Sequence, residues 1–353
     1  MEILFLGGTG NISRDCAVAA REAGHDVYTL TRGRSSLGSP VDRGHSLIAD
    51  VSDEQQVRDA VAGRHFDVVI QWTGYVPAQV MRDVRLFADV GQYVFISSAS
   101  AYEKPPSHWL VTESTPLRNP FWQYSRDKIA CERVLMDAHE STGFPVTIIR
   151  PSLTYGVSQV PAAAGSRSKP YTIIARMRRG APIIVPGDGT SIWTITHSTD
   201  FARGLTPLLG RREAIGESLH ITSDEALTWN QIYGALAEAV GVAIDVRHVP
   251  TDGIVAADTS LEGTLWGDKV NSVVFDNARL RQFVPNFRAL VPFSEGIRDT
   301  VAWFDDDVAR REVDDEANAL WDRLAAIYGD ALARAAGAPH AMTRARAVTW
   351  ATE

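Results

Sequence analysis

The chain has 353 residues, 45% of them hydrophobic, and a formal charge of -8 at neutral pH. That is enough apolar material for one large core, or one core with a smaller lobe on its flank, while the acidic balance argues against a nucleic-acid-binding surface spread over the whole molecule. No apolar run reaches the roughly 18 residues of a membrane span, and Met1 leads straight into a strand-like segment, so the expectation is a cytoplasmic protein with a small-molecule partner rather than nucleic acid or membrane. Cys16 and Cys131 both fall in segments that read as helix, which suggests buried thiols and no disulfide.

Short apolar runs alternate with amphipathic stretches over the first 150 residues, the pattern of a doubly wound parallel α/β sheet with helices on both faces. Strands are expected at Ile3 to Leu6, Val27 to Thr31, Leu47 to Ala49, Val68 to Gln71, Val94 to Ser97 and Val146 to Arg150, with helices near 12–23, 54–62, 78–90 and 122–142. In such a sheet, ligands gather at the carboxyl ends of the strands.

Beyond Pro151 the pattern is irregular. The stretch Pro161 to Pro170 precedes a basic helical segment, Ala175 to Arg179, and the turn Pro186-Gly187-Asp188-Gly189. Thr228 and Gln231 form a capping box for a helix to about Val240. Ala317, Leu320, Trp321, Leu324, Ile327 and Tyr328 recur at helical spacing, a face for packing within its own domain or against a second subunit. The residues from about Gly337 read as loosely held. The expected division is 1–155 for a nucleotide-binding domain, its sheet completed by parts of 183–222, then 156–305 mainly for a smaller C-terminal substrate lobe, and 306–353 for a helical extension and tail.

Residues 3 to 13, Ile-Leu-Phe-Leu-Gly-Gly-Thr-Gly-Asn-Ile-Ser, are a buried strand entering a glycine-rich turn that opens a helix. Glycines let the backbone turn tightly against a pyrophosphate, whose charge is met by the unpaired amides of the helix N-terminus. Gly7, Thr9, Gly10, Asn11 and Ile12 are the candidate phosphate contacts, with Ser13 at the third position of a G-x-x-G-x-x-G pattern. A plain strand-to-helix turn is the rival explanation. Arg32 and Arg34 follow the second strand, where they can neutralise a 2′-phosphate; this favours NADP(H) over NAD(H), with a solvated basic turn as the alternative. By position, Asp50 and Val51 after the third strand face the adenine, Thr73 and Gly74 after the fourth border the nicotinamide ribose, and Pro151 follows the sixth.

Tyr124 and Lys128 lie four residues apart, hence on one helix face. Moving hydride at a carbon that bears a hydroxyl requires a proton to move on its oxygen. A tyrosine does this near neutral pH only if an adjacent cation favours the phenolate. With four lysines and nine tyrosines in the chain, about 0.1 such pairs are expected by chance; a surface i, i+4 contact is the competing reading. Upstream, Val94 to Tyr102 is a buried strand ending in hydroxyls. Ser98 is the choice to orient the reacting oxygen, with Ser97 and Ser100 competing for the role.

The glycine loop, Ser98-Ala-Ser-Ala-Tyr102, Tyr124-x-x-x-Lys128, Arg150-Pro-Ser-Leu-Thr-Tyr-Gly156 and a degenerate His197-Ser-Thr-Asp200 together resemble the extended short-chain dehydrogenases of the NAD-dependent epimerase/dehydratase family over roughly residues 1 to 305. The resemblance implies a Rossmann-type domain, a C-terminal substrate lobe, catalysis by Ser98, Tyr124 and Lys128 on a hydroxyl or keto substrate, and a homodimer. It departs at Leu153 and Trp193, where nucleotide-sugar members carry Asn and Arg that hold a diphosphate. It departs again at Ala99 and Ser100, where sugar dehydratases carry Asp and Glu. Ser100, Tyr102, Trp122, Leu153 and Trp193 are candidate substrate contacts, and His108 and Trp109 are further aromatic candidates. His197 reads as structural. No metal motif is present, and no metal site is expected. The competing class is a non-catalytic atypical relative that binds a dinucleotide or RNA.

Overall fold

Short strands rich in Ile, Leu, Val and Phe, apolar on both faces, belong in the middle of a covered sheet, and that is where they lie. The computed structural model describes residues 1–35 and 37–335, so the tail from about Gly337 lies outside the described residues. In chain order the first part carries β1 (Glu2–Leu6), α1 (Ser13–Glu22), β2 (Asp26–Thr31), β3 (Ser46–Ile48), α2 (Glu54–Val61), β4 (Val68–Gln71), α3 (Pro77–Leu86), β5 (Gln92–Ile96), β6 (Leu110–Val111), α4 (Gln123–Thr142) and β7 (Val146–Pro151). The seven-stranded sheet has the order Ser218–Ile221, β7, β5, β4, β1, β2, β3, and all its pairings are parallel. The strand order reverses between β1 and β4, which opens a crevice at their carboxyl ends.

Alternate residues of each strand feed two cores. Ile3, Phe5, Val68, Ile70, Val94 and Ile96 pack on one face with Cys16, Ala17 and Ala20 of α1. Leu4, Leu6, Val69, Tyr93 and Phe95 pack on the other with Val57 of α2, Val80 of α3 and Cys131 and Leu135 of α4. Each fully buried large side chain here contributes about 1.5–3 kcal/mol. Both cysteines are buried and free, and burial lifts the Cys131 thiol to about 12. Gly143, at φ 77°, ends α4 in the left-handed conformation that glycine adopts without strain.

The chain divides into two compact units that interleave in sequence. The first takes Met1–Thr154, Thr194–Asp224 and Val274–Leu290; the second takes the remainder. In the second, strand Ile183–Pro186 pairs in parallel with Val246–Val249. The helix expected near 175–179 spans Tyr171–Arg178. The Thr228/Gln231 capping box opens helix Trp229–Val240 as read from sequence. Helix Asp315–Ala335 buries Leu320, Trp321 and Leu324 against Ile184, Val249, Ile254 and Leu265. Ile327, placed on that apolar face by its spacing, is instead 61% exposed. Among the described residues no helix is long and apolar enough to cross a membrane, and no group of three His, Cys, Asp or Glu is arranged to hold a metal ion.

Candidate active site

At the end of β1 the backbone passes through Gly7 at φ 112° and Gly8 at φ 98°, a conformation that any side chain would strain. Space is short too: a Cβ on Gly7 would lie a tight 3.1 Å from Cβ of Trp72, and one on Gly8 would clash at 2.8 Å with a methyl of Thr29. The Gly10 amide donates to Ser13 Oγ at 3.0 Å, so the serine at the third glycine position ties the loop to its helix. Helix α1 begins after Ile12 without a side-chain cap. Tight glycines before an uncapped helix N-terminus, beside the switch point, form a cradle that fits a pyrophosphate. Gly8 was missed from sequence; the Gly-Gly doublet closing a buried strand was the available signal.

Arg32 and Arg34 are exposed just past β2. Hydrogen bonds from Ser52 hold the Asp50 carboxyl below its usual range, and the positive field of Arg32 and Arg34 adds to this. Val51 offers its carbonyl to the Arg82 guanidinium. Arg82 pairs with Asp83 at 2.6 Å; Asp83 accepts from Gln71 Nε2 at 2.6 Å and from Tyr93 at 2.8 Å. Gln71 Oε1 in turn accepts from the Thr73 amide at 2.7 Å and its hydroxyl at 3.0 Å. One buried polar chain therefore fixes the loops after β3 and β4. Burial of a carboxylate is tolerated because every partner is in place.

Helix α4 brings Tyr124 and Lys128 to the end of β5. Lys128 is 1% exposed, and its Nζ donates to the Gly74 carbonyl at 2.8 Å and the Ile96 carbonyl at 2.7 Å. Burial pulls this ammonium down to about 8, with Cys131 and Glu132 opposing the shift. Nζ lies 5.8 Å from the ring centre of the half-buried Tyr124, which is flanked by Trp122 at 4.9 Å and Tyr75 at 6.4 Å. Among the three serines, Ser97 is buried and donates to Glu132 at 2.5 Å. Ser100 is buried and joined at 2.8 Å to both Ser98 and Ser125. Ser98 is half-buried and caps the short turn Ala99–Ala101, the most open of the three.

Beneath this lies a second, closed cluster that sequence reading missed. Arg150 and Glu132 pair at 2.6 Å with side chains only 5% and 4% exposed. Tyr102, expected at the substrate, lies in this cluster: it is 1% exposed, and its hydroxyl sits 3.2 Å from Arg150 and 3.0 Å from His220 Nδ1. Ser100 lies between the two clusters, joined to Ser98 of the first. His220 Nε2 lies 2.8 Å from the Asp276 carbonyl, which can only accept. Nε2 therefore carries the proton, and Nδ1 accepts from Tyr102. Burial lowers this imidazole to about 4, so it is neutral at pH 7. The signal for Glu132 was its place four residues past Lys128 on the same helix face.

The remaining predicted positions are scattered. Pro151 is buried at the end of β7 opposite Ile221, Leu153 is half-buried in the first unit, and Trp193 is buried in the second unit, 6.2 Å from the Trp229 ring. His108 stacks on Trp109, which is 62% exposed. His197 caps the helix Ser198–Leu205, the structural role expected of it.

The sheet order and the glycine cradle define a Rossmann-type protein of the short-chain dehydrogenase/reductase class. Residues 3–221 match the profile of the NAD dependent epimerase/dehydratase family, and the chain belongs to that family of enzymes. It is 25% identical over 292 residues, 82% of this chain and 80% of the relative, to a 2'-dehydrokanamycin reductase of Streptomyces kanamyceticus. It is 27% identical over 254 residues, 68% of this chain and 63% of the relative, to a chloroplast stem-loop binding protein of 41 kDa of Arabidopsis thaliana. The UDP-glucose 4-epimerase of Thermus thermophilus, solved with NAD, superposes with a TM-score of 0.69 at 22% identity, covering 86% of this chain and 99% of that one; this likeness shows the fold.

Proposed function

We propose that the protein is an NAD(P)-dependent oxidoreductase that moves hydride at a hydroxyl- or keto-bearing ring carbon of a sugar, nucleotide sugar or nucleoside-like compound. The observation that carries this is the placement of Tyr124 and Lys128 on one face of α4, with the Lys128 ammonium anchored at the carboxyl ends of β4 and β5. In the reducing direction Tyr124 gives its proton to the carbonyl oxygen as the carbon receives hydride; in the oxidising direction the phenolate takes the hydroxyl proton. Lys128 favours the phenolate by its charge, and Ser98 orients the oxygen. A nicotinamide dinucleotide supplies the hydride donor or acceptor; the Gly7 to Ile12 loop would hold its pyrophosphate, with Asp50, Val51, Thr73, Gly74 and Pro151 around the rest.

Arg32 and Arg34 support NADP(H), set against the NAD bound by the Thermus epimerase. The apolar Leu153 and Trp193 support a sugar without a nucleotide diphosphate, in keeping with the kanamycin-type substrate named for the reductase relative. In this reading residues 1–155 serve the dinucleotide, 156–305 chiefly the substrate, and the enzyme works as a cytoplasmic homodimer. The test is to denature the purified protein, identify any released nucleotide by mass, and follow nicotinamide absorbance with a panel of keto sugars and NADPH or NADH. Turnover faster with NADPH is expected. Tight RNA binding with no turnover on any sugar would overturn the reading in favour of the stem-loop-binding relative.

A further inference from the structure

The Lys128 ammonium is enclosed by rings as well as by carbonyls. Its Nζ lies 4.8 Å from the ring centre of Phe95 and 5.1 Å from that of Tyr75. Ring faces attract a cation through their quadrupole, the more strongly where water is excluded. Phe95 is wholly buried in β5, whereas Tyr75, in the loop between β4 and α3, is 50% exposed and also flanks Tyr124. Nothing in the family resemblance assigns Tyr75 a role.

We propose that Tyr75 is a positioning residue: with Phe95 it boxes the Lys128 ammonium, keeping it charged and seated beside Tyr124. The inference rests on the oxidoreductase reading for its purpose, but not for its physical content. The other charges around Lys128 are already engaged. On its own helix Glu132 is paired with Arg150 of β7, and the Cys131 thiol is neutral because burial holds its pKa high. On α3, Asp83 is paired with Arg82. Gln71, Ser97 and Ser98 at the ends of β4 and β5 are uncharged. Alongside the two carbonyl hydrogen bonds, the rings therefore offset part of the desolvation of the lysine.

The chain has four lysines, Lys104, Lys128, Lys169 and Lys269, so protein labelled with 13C at lysine Cε gives a resolvable NMR titration, with Lys128→Met assigning the signal. Tyr75→Phe should titrate as wild type. Tyr75→Leu, which keeps apolar bulk and removes the ring, should lower the Lys128 pKa by about half to one unit. A Tyr75→Leu pKa that is unchanged or raised, or a Tyr75→Phe pKa that falls as far as that of Tyr75→Leu, would overturn the box. The readout needs no turnover. A shifted lysine in a protein inactive on every sugar would sustain the box while sinking the oxidoreductase reading, and an unshifted lysine in an active enzyme would do the reverse.

Discussion

Two polar clusters lie side by side at the carboxyl edge of the sheet and are built on opposite plans. In the closed one, Glu132, Arg150, Tyr102 and His220 are buried and satisfy one another. In the open one, Tyr124 and Ser98 are half-buried, and Lys128 is a desolvated ammonium held by backbone carbonyls and rings rather than by a carboxylate. Pairing Lys128 with an acid would hold its charge in place and weaken its pull on a phenolate. The closed cluster takes the acid instead, and so stiffens the strand ends on which the open one depends.

The comparison can be broken in order of effect. Tyr124→Phe should leave fold and cofactor binding intact and lower kcat by about 10²–10⁴-fold; near-normal turnover would end the assignment. Glu132→Ala strands a buried guanidinium and should cost about 3–5 kcal/mol of stability in denaturant melts, whereas loss of activity with unchanged stability would move Glu132 into the open cluster. His220 titrates at about 4 folded against 6.5 free. Between these values the unfolded chain binds more protons, so stability falls as pH drops from 6.5 towards 4, by on the order of 3 kcal/mol. His220→Gln should flatten that limb. Lys128 has the same sign at higher pH: its folded value near 8 lies below 10.5, so stability rises between the two, and Lys128→Met should remove the rise. Smallest is Thr228→Ala in the second unit, which removes a helix cap and should cost about 1 kcal/mol while leaving both clusters untouched; a larger effect on kcat than on stability would contradict that.

The layout of the open cluster was legible because its spacing is local. Tyr124 and Lys128 are one helical turn apart, the glycine loop is contiguous, and the strands around them alternate between two cores residue by residue. The closed cluster was not, since Arg150, Tyr102, Glu132 and His220 meet only after four elements assemble, and no spacing encodes that meeting. Tyr102 is an example. Read along the chain it follows a hydroxyl-rich strand end, and nothing in the spacing announces that one short turn, Ala99–Ala101, brings its hydroxyl to Arg150 and His220. The same limit hid the pairing of β6 with Val274–Phe275, two-residue strands far apart in the chain that carry no periodic signal. Ile327 misled differently: helical spacing gave the right helix but too wide an apolar stripe.

The strand Ser218–Ile221 lies outside β7, at the margin of the sheet. While the protein is being synthesised, β1 to β7 are complete well before that strand leaves the ribosome, and for that interval β7, every residue of which is buried in the finished fold, presents an unpaired edge. A fragment cut at residue 155 would keep that edge permanently and should associate through it. A fragment intended to stand alone has to graft Thr194–Asp224 back onto the sheet.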